Sequence, residues 1–197
     1  MSHAGTPNLP SSVAGSPLFK LPAKRRNEIY ELAMQRIRIH VRANGFLVPG
    51  LLHTCHIVRA EAHPIFFCTN QFAIKITNLK CTALLLWEQR LCRRYPDYKL
   101  LESTIVRPYK ARNWPNLLDW LERFHARDLE LSLGGWLTNP PGAGSTGTQE
   151  VEARVVGGAF HIMRGLRRAK WKYVKQLLET QYHVLVACDQ RWALSNP

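Results

Sequence analysis

Three histidines, His53, His56 and His63, lie close in sequence to Cys55 and are the side chains here best suited to binding a metal. Zinc would need their nitrogens and the thiolate at about 2 Å from one point. Read as a helix from Leu51, the segment puts the three histidines on one face and Cys55 on the opposite side. His56 and His63 are seven residues apart, about 10 Å along such a helix. His53 and His56 alone would need two ligands from elsewhere, so solvated histidines are expected, with no metal and no other cofactor.

Gly142-Ala-Gly144-Ser-Thr-Gly147 fits the G-x-G-x-x-G spacing that cradles a pyrophosphate. That chemistry needs a tight strand-to-helix turn whose backbone N–H groups face the phosphates. Pro140-Pro141 intervenes, no acid follows at about 20 positions to hold a ribose, and the β-α-β alternation of that fold reads as absent. A loop is expected. No G-x-S-x-G elbow, H-E-x-x-H or Walker loop occurs, and no catalytic residues are assigned. Asp119, Glu122, Asp128 and Glu130 read as a solvated face.

The stretch RGLRRAKWKYVK from Arg164 to Lys175 interleaves cations with Trp171 and Tyr173. Arg164, Arg167, Arg168, Lys170, Lys172 and Lys175 suit phosphates, and the rings suit stacking on bases. The competing reading is a solvated helix junction with Trp171 and Val174 turned inward. No nucleic-acid recognition module accompanies the stretch.

The elements that must position these residues follow from periodicity. Leu18, Phe19 and Leu21 lead into a helix opened by Pro22, a residue suited to a first helical position. Ile29, Leu32 and Ala33 share one face of that helix. RIRIHVR, Arg36 to Arg42, alternates as a strand ended by a turn at Asn44-Gly45. A second helix runs from about Leu51, with Leu51, Leu52, Cys55, Val58 and Ala62 on one side, until Pro64 ends or kinks it.

Phe72 to Ile76 reads as a strand, Leu79 to Arg94 as a helix with a basic end (Arg90, Arg93, Arg94), and Leu100 to Val106 as a strand. Asn113 caps a helix to Ala126 with Pro115 in its first turn. Leu129, Leu131 and Leu133 alternate as a strand. Glu150–Arg168 and Trp171–Trp192 read as long helices, and close packing is the expected reason for Gly157-Gly158. The fold class expected is α+β and mainly helical, with about five helices and a few short strands in a small sheet. Residues 1–16 read as a disordered tail, and residues 17–197 as one compact domain.

The chain has 197 residues, 46% hydrophobic, enough for one sizeable core. No apolar run approaches the roughly 20 residues of a membrane helix, and the first residues do not read as a secretory signal. An intracellular protein, cytoplasmic or nuclear, is expected. Its five cysteines are then reduced, and Cys55, Cys68 and Cys81 read as small buried side chains. The net charge is +13, yet residues 101–150 carry −1 while the other quarters carry +4 or +5. Such a surface attracts polyanions or acidic protein faces.

Two segments are more specific. Leu21-Pro22, Arg26-Asn27 and Ile29-Tyr30-Glu31 are followed by Leu51-Leu52, Thr54-Cys55, Arg59-Ala60-Glu61-Ala62 and Pro64-Ile65-Phe66. In order and spacing they resemble the opening of a fungal F-box-like family that reads LP-x-E-L-R-N-x-I-Y-E, then L-L-x-T-C-R-x-I-R-x-E-A-x-P-I-F-Y. The tail from AFHIM to DQRW resembles the C-terminal part of the same proteins.

The resemblance implies a non-enzymatic protein-interaction module, with residues 17–76 as the F-box-like region and 77–197 as a helical C-terminal region. It also implies docking to the adaptor subunit of a cullin–RING ubiquitin ligase through Leu18, Leu21, Pro22 and Ile29, with an unknown client held by residues 100–197; the competing reading of those four residues is that they close the core against the second helix. Lys24-Arg25 depart from the family's Glu-Leu, and His56 stands where Arg is usual. Arg59 and Glu61 read as members of surface ion pairs. The alternative is a basic nucleic-acid-associated protein using Arg164 to Lys175. A third reading, a secreted or host-targeted factor sharing only the fold, is opposed by the lack of a recognisable signal.

Overall fold

Three apolar runs rich in β-branched residues form a parallel sheet in the computed structural model, which describes residues 15–35, 38–42, 45–110, 112–133 and 147–195. The elements, in chain order, are α1 (Ala23–Met34), β1 (Ile39–Val41), α2 (His56–Thr69), β2 (Phe72–Thr77), α3 (Thr82–Trp87), β3 (Thr104–Tyr109), α4 (Trp114–His125), α5 (Gly147–Gly165) and α6 (Trp171–Cys188). Single turns of 3₁₀ helix stand at Pro17–Lys20 and Gly50–His53. The architecture is α+β and mainly helical, as its periodicities predict. The expected tail falls outside the described residues except for Gly15 and Ser16, as do the residues from Gly142 to Thr146 of the glycine-rich motif.

The described residues cluster into two compact units. The first holds 15–35 and 48–70, the second 38–42, 45–47 and everything described from 71 onward. The first unit is therefore discontinuous in sequence, because the segment carrying β1 interrupts it. In this unit α1 packs on α2. Tyr30 and Met34 from α1 are buried, as are Ile57, Val58, Ala62, Phe66 and Phe67 from α2.

In the second unit the strand order is β1-β2-β3, with both pairs parallel. Phe72, Ala73, Ile74 and Ile76 of the central strand are all buried, the pattern of a strand covered on both faces. Parallel neighbours require crossovers, so strand and helix do alternate over residues 39–109, contrary to the sequence reading. The irregular lengths of the elements hid this. Pro108 has no N–H to donate and sits on the edge strand β3, where that is tolerated. α4, α5 and α6 pack together, with Leu117, Trp120, Leu121, Phe124, Phe160, Met163, Val174 and Leu178 buried.

Several boundaries differ from expectation for identifiable reasons. The second helix starts at His56, with Cys55 at its N-cap and the preceding turn separate, so His53 is not on its face. Pro64 lies inside α2 without ending it. The carbonyl that loses a donor belongs to exposed Ala60. The helix expected over Leu79–Arg94 is α for one stretch and then widens to a π-turn at Glu88–Cys92.

Leu129, Leu131 and Leu133 are buried as their alternation suggested, but they join no sheet. Their backbone is satisfied by side chains instead. The N–H of Glu130 donates to the Glu88 carboxylate at 2.7 and 2.9 Å, and that of Leu131 at 3.2 Å. The indole N–H of Trp120 donates to the Leu131 carbonyl at 3.0 Å. A Cβ added at Gly158 would meet nothing within 4 Å, so close packing does not explain that glycine.

Candidate partner-binding face

Helix α1 is short of apolar residues on the side it buries. At helical spacing, Arg26, Tyr30 and Met34 face α2, and only Met34 is wholly apolar. The polar atoms on that side are satisfied by Glu61 of α2. The Arg26 guanidinium donates to both carboxylate oxygens, through Nε at 2.9 Å and Nη2 at 2.5 Å, and the Tyr30 hydroxyl donates to Oε2 at 3.0 Å. A third donor of Arg26, Nη1, reaches back to the Leu21 carbonyl at 2.8 Å, and the guanidinium lies 5.8 Å from the Phe19 ring centroid. One arginine thus joins the lead-in turn, α1 and α2.

The electrostatics match this geometry. Hydrogen bonds from Arg26 hold the Glu61 carboxyl below its ordinary range and in turn raise Arg26. Burial, then the bond to Glu61, pushes the Tyr30 phenol up to about 12. The pair is part-buried, with side-chain exposures of 15% and 25%. The expectation that Glu61 belongs to a weak surface pair is therefore corrected, because a two-pronged, partly desolvated contact is stronger than an exposed one. Among the described residues Arg59 makes no such pair: its Nε donates to the Leu52 carbonyl at 2.8 Å and fixes the preceding turn. Asn70, buried at the end of α2, donates to the carbonyls of Phe66 (2.8 Å) and Met34 (3.3 Å), tying the ends of the two helices together.

Polar residues hold the inner side, so the apolar ones are left outside. Ile29 is 41% exposed, Leu32 79% and Leu21 37%, while Pro22 is exposed as the N-cap of α1. Leu18, in the turn before it, is half-buried. The face formed by Ile29, Leu32 and Ala33 thus looks outward. Sequence reasoning missed Leu32 as a surface residue, and the only signal was the presence of Arg26 and Tyr30 on the other side. Lys24 and Arg25, where the motif usually has Glu-Leu, are also exposed, and Arg25 pairs with Glu28 at 2.7 Å.

The basic stretch near the C-terminus divides in two. The guanidinium carbons of Arg164 and Arg167 lie 5.9 and 5.1 Å from the Phe124 ring centroid. Arg167 pairs with Glu130 at 2.8 Å, and Arg164 reaches the Ser132 hydroxyl at 3.3 Å. Both arginines therefore hold the 129–133 segment against α4 and α5. Arg168, Lys170, Lys172 and Lys175 are exposed, with Lys172 against exposed Tyr173. Trp171 is half-buried beside His125, and Val174 is buried. At the other basic end, Arg93 donates to the carbonyls of Arg127 and Asp128 and is structural.

No family model matches this chain, and no curated protein or solved structure matches it. The resemblance in its two motifs stands on those residues alone.

No group of three or more His, Cys, Asp or Glu side chains placed to hold a metal exists among the described residues. His63 packs its ring on Phe67, 4.7 Å between centroids. Cys81 is buried, Cys55 half-buried and Cys68 exposed, so the expectation of three buried thiols is met in full at Cys81 alone. Burial pushes the thiols of Cys81 and Cys92 up to about 12, far from the thiolate form that nucleophilic or redox chemistry needs. No described helix is long and apolar enough to cross a membrane.

Proposed function

We propose that this protein is a non-enzymatic, intracellular protein-interaction module of F-box type, docking the adaptor subunit of a cullin–RING ubiquitin ligase through Leu21, Pro22, Ile29 and Leu32. The observation that carries the reading is the inversion of α1. Its polar residues Arg26 and Tyr30 are spent on Glu61, while Ile29 and Leu32 are exposed at helical spacing. Conserving folding energy alone gives no reason to leave those two outside, whereas an apolar helix face fits a partner's groove. The C-terminal region supplies the client surface, and Tyr173, Leu177 and Val184 are exposed along α6.

The test is recovery of partners from fungal lysate with nuclease present, followed by mass spectrometry, for the wild type, Leu21→Asp and Ile29→Asp. The reading expects an adaptor and a cullin with the wild type, and their loss with either variant at unchanged helical circular dichroism. Recovery unaffected by both substitutions would remove this face from the reading.

A second reading rests on the exposure of Arg168, Lys170, Lys172 and Lys175 around Tyr173. Phosphate binding there would make affinity fall steeply with salt, and replacing the four cations with Ser would flatten that slope. Arg167, half-buried and paired with Glu130, contributes less to this surface than its spacing suggested, whereas Arg164 is exposed and remains part of it.

A further inference from the structure

A cavity of about 120 Å³ opens to solvent in the second unit, between the end of β1 and the outer side of α3 and its π-turn. Its walls are mixed: Phe46, Ala83, Leu86 and Trp87 line it together with two exposed cations, Arg42 and Arg90. The rings are fixed. Phe46 meets Trp87 edge-on at 5.7 Å and Phe72 at 5.9 Å, and the Trp87 indole N–H is committed to the Thr104 hydroxyl at 3.0 Å. Arg90 reaches the wall from within the wide turn, a helical irregularity often found at functional sites. Gly45, with φ +117°, forms an isolated antiparallel bridge with Arg42.

Charge and size together define an occupant. No carboxylate lines the cavity, and neither Arg42 nor Arg90 is paired with an acid among the described residues. An enclosed apolar cavity of about 150 Å³ holds benzene; this one is smaller, at about 120 Å³, and open to solvent, so it takes part of a phenyl or branched aliphatic group and leaves the rest outside. A guanidinium presents a planar fork that matches a carboxylate. We propose that this cavity binds a small apolar group bearing one carboxylate, with the hydrocarbon among Phe46, Leu86 and Trp87 and the anion between Arg42 and Arg90. Two sources carry such a group, a free aryl or branched-chain acid and the C-terminal residue of a peptide.

The experiment is a titration of the full chain with phenylacetate, followed by the NMR shift of the Trp87 indole N–H, with phenylacetamide as the neutral control. A saturable shift with the acid is expected, and binding weaker by about fivefold for the amide and for Arg42→Gln or Arg90→Gln. Ala83→Phe, which fills the cavity, should remove the shift, while retention of the indole resonance reports that the arginine variants are folded. A short peptide ending in Phe, as free acid and as amide, distinguishes the sources. Tighter binding of the free-acid peptide than of phenylacetate points to a chain terminus, and binding of phenylacetate alone points to a small acid. Absence of a saturable shift with either acid, equal binding of acid and amide, or indifference to both arginine substitutions would overturn the proposal.

Discussion

Two carboxylates do opposite things at the residue scale. Glu61 accepts from Arg26 and Tyr30, and its folded pKa is lowered chiefly by the Arg26 hydrogen bonds. The folded state therefore binds the Glu61 proton more weakly than the unfolded one. Its contribution is present above the unfolded carboxylate value and is lost as pH falls through the folded value. Glu61→Gln should cost about 1–2 kcal/mol at neutral pH, with a penalty that shrinks toward acid, measured by urea unfolding across pH 3–7.

Glu88 is 2% exposed, and burial raises its pKa in spite of the N–H donors of Glu130 and Leu131. Its contribution is full below the unfolded value and fades as pH rises through the folded one. Glu88→Gln places an amide donor against those backbone donors and should cost about 1–3 kcal/mol. In the same titration the penalty should be largest in acid and fall as pH rises, the reverse of the Glu61 series.

At the scale of elements, local signals and tertiary partners can be separated. Asn113 accepts from the Asn116 N–H at 2.9 Å with Pro115 next to it, so α4 begins where cap chemistry alone put it. Asn113→Ala should cost about 1 kcal/mol by thermal or urea unfolding. α5 contains Gly158 with open space where a Cβ would stand. Gly158→Ala should stabilise by about 0.5–1 kcal/mol by restricting the unfolded chain, and a loss of stability would show that the helix needs that freedom. The 129–133 segment has a strand's alternation and buried leucines, but its N–H groups meet Glu88 rather than a neighbouring strand.

For the whole molecule the dominant quantity is the net charge of +13. Like charges at this density repel one another and are screened by salt over about 10 Å at 0.1 M. The thermal midpoint should therefore rise between low and moderate sodium chloride, by calorimetry at fixed pH. A fall would mean that ion pairs such as Arg26–Glu61 and Arg112–Glu152 outweigh the repulsion. The same titration bears on the partner: an apolar docking face at Ile29 and Leu32 binds with little salt dependence, whereas the Arg168–Lys175 surface on phosphates would be strongly salt-dependent.

Periodicity and caps determined the helical character, most elements and the central strand, because 3.6- and 2-residue patterns and an Asn-Pro cap act locally. The two motifs marked out residues 21–32 and 51–66 without saying which face of each helix would be buried. That was decided by pairing across sequence: Arg26 and Tyr30 found Glu61, so a polar side became the inner one and Ile29 and Leu32 the outer. The parallel sheet and the cavity of Arg42 and Arg90 likewise join segments tens of residues apart. Composition and local spacing carry no record of such meetings, because a buried polar group is favourable only when its distant partner is in place.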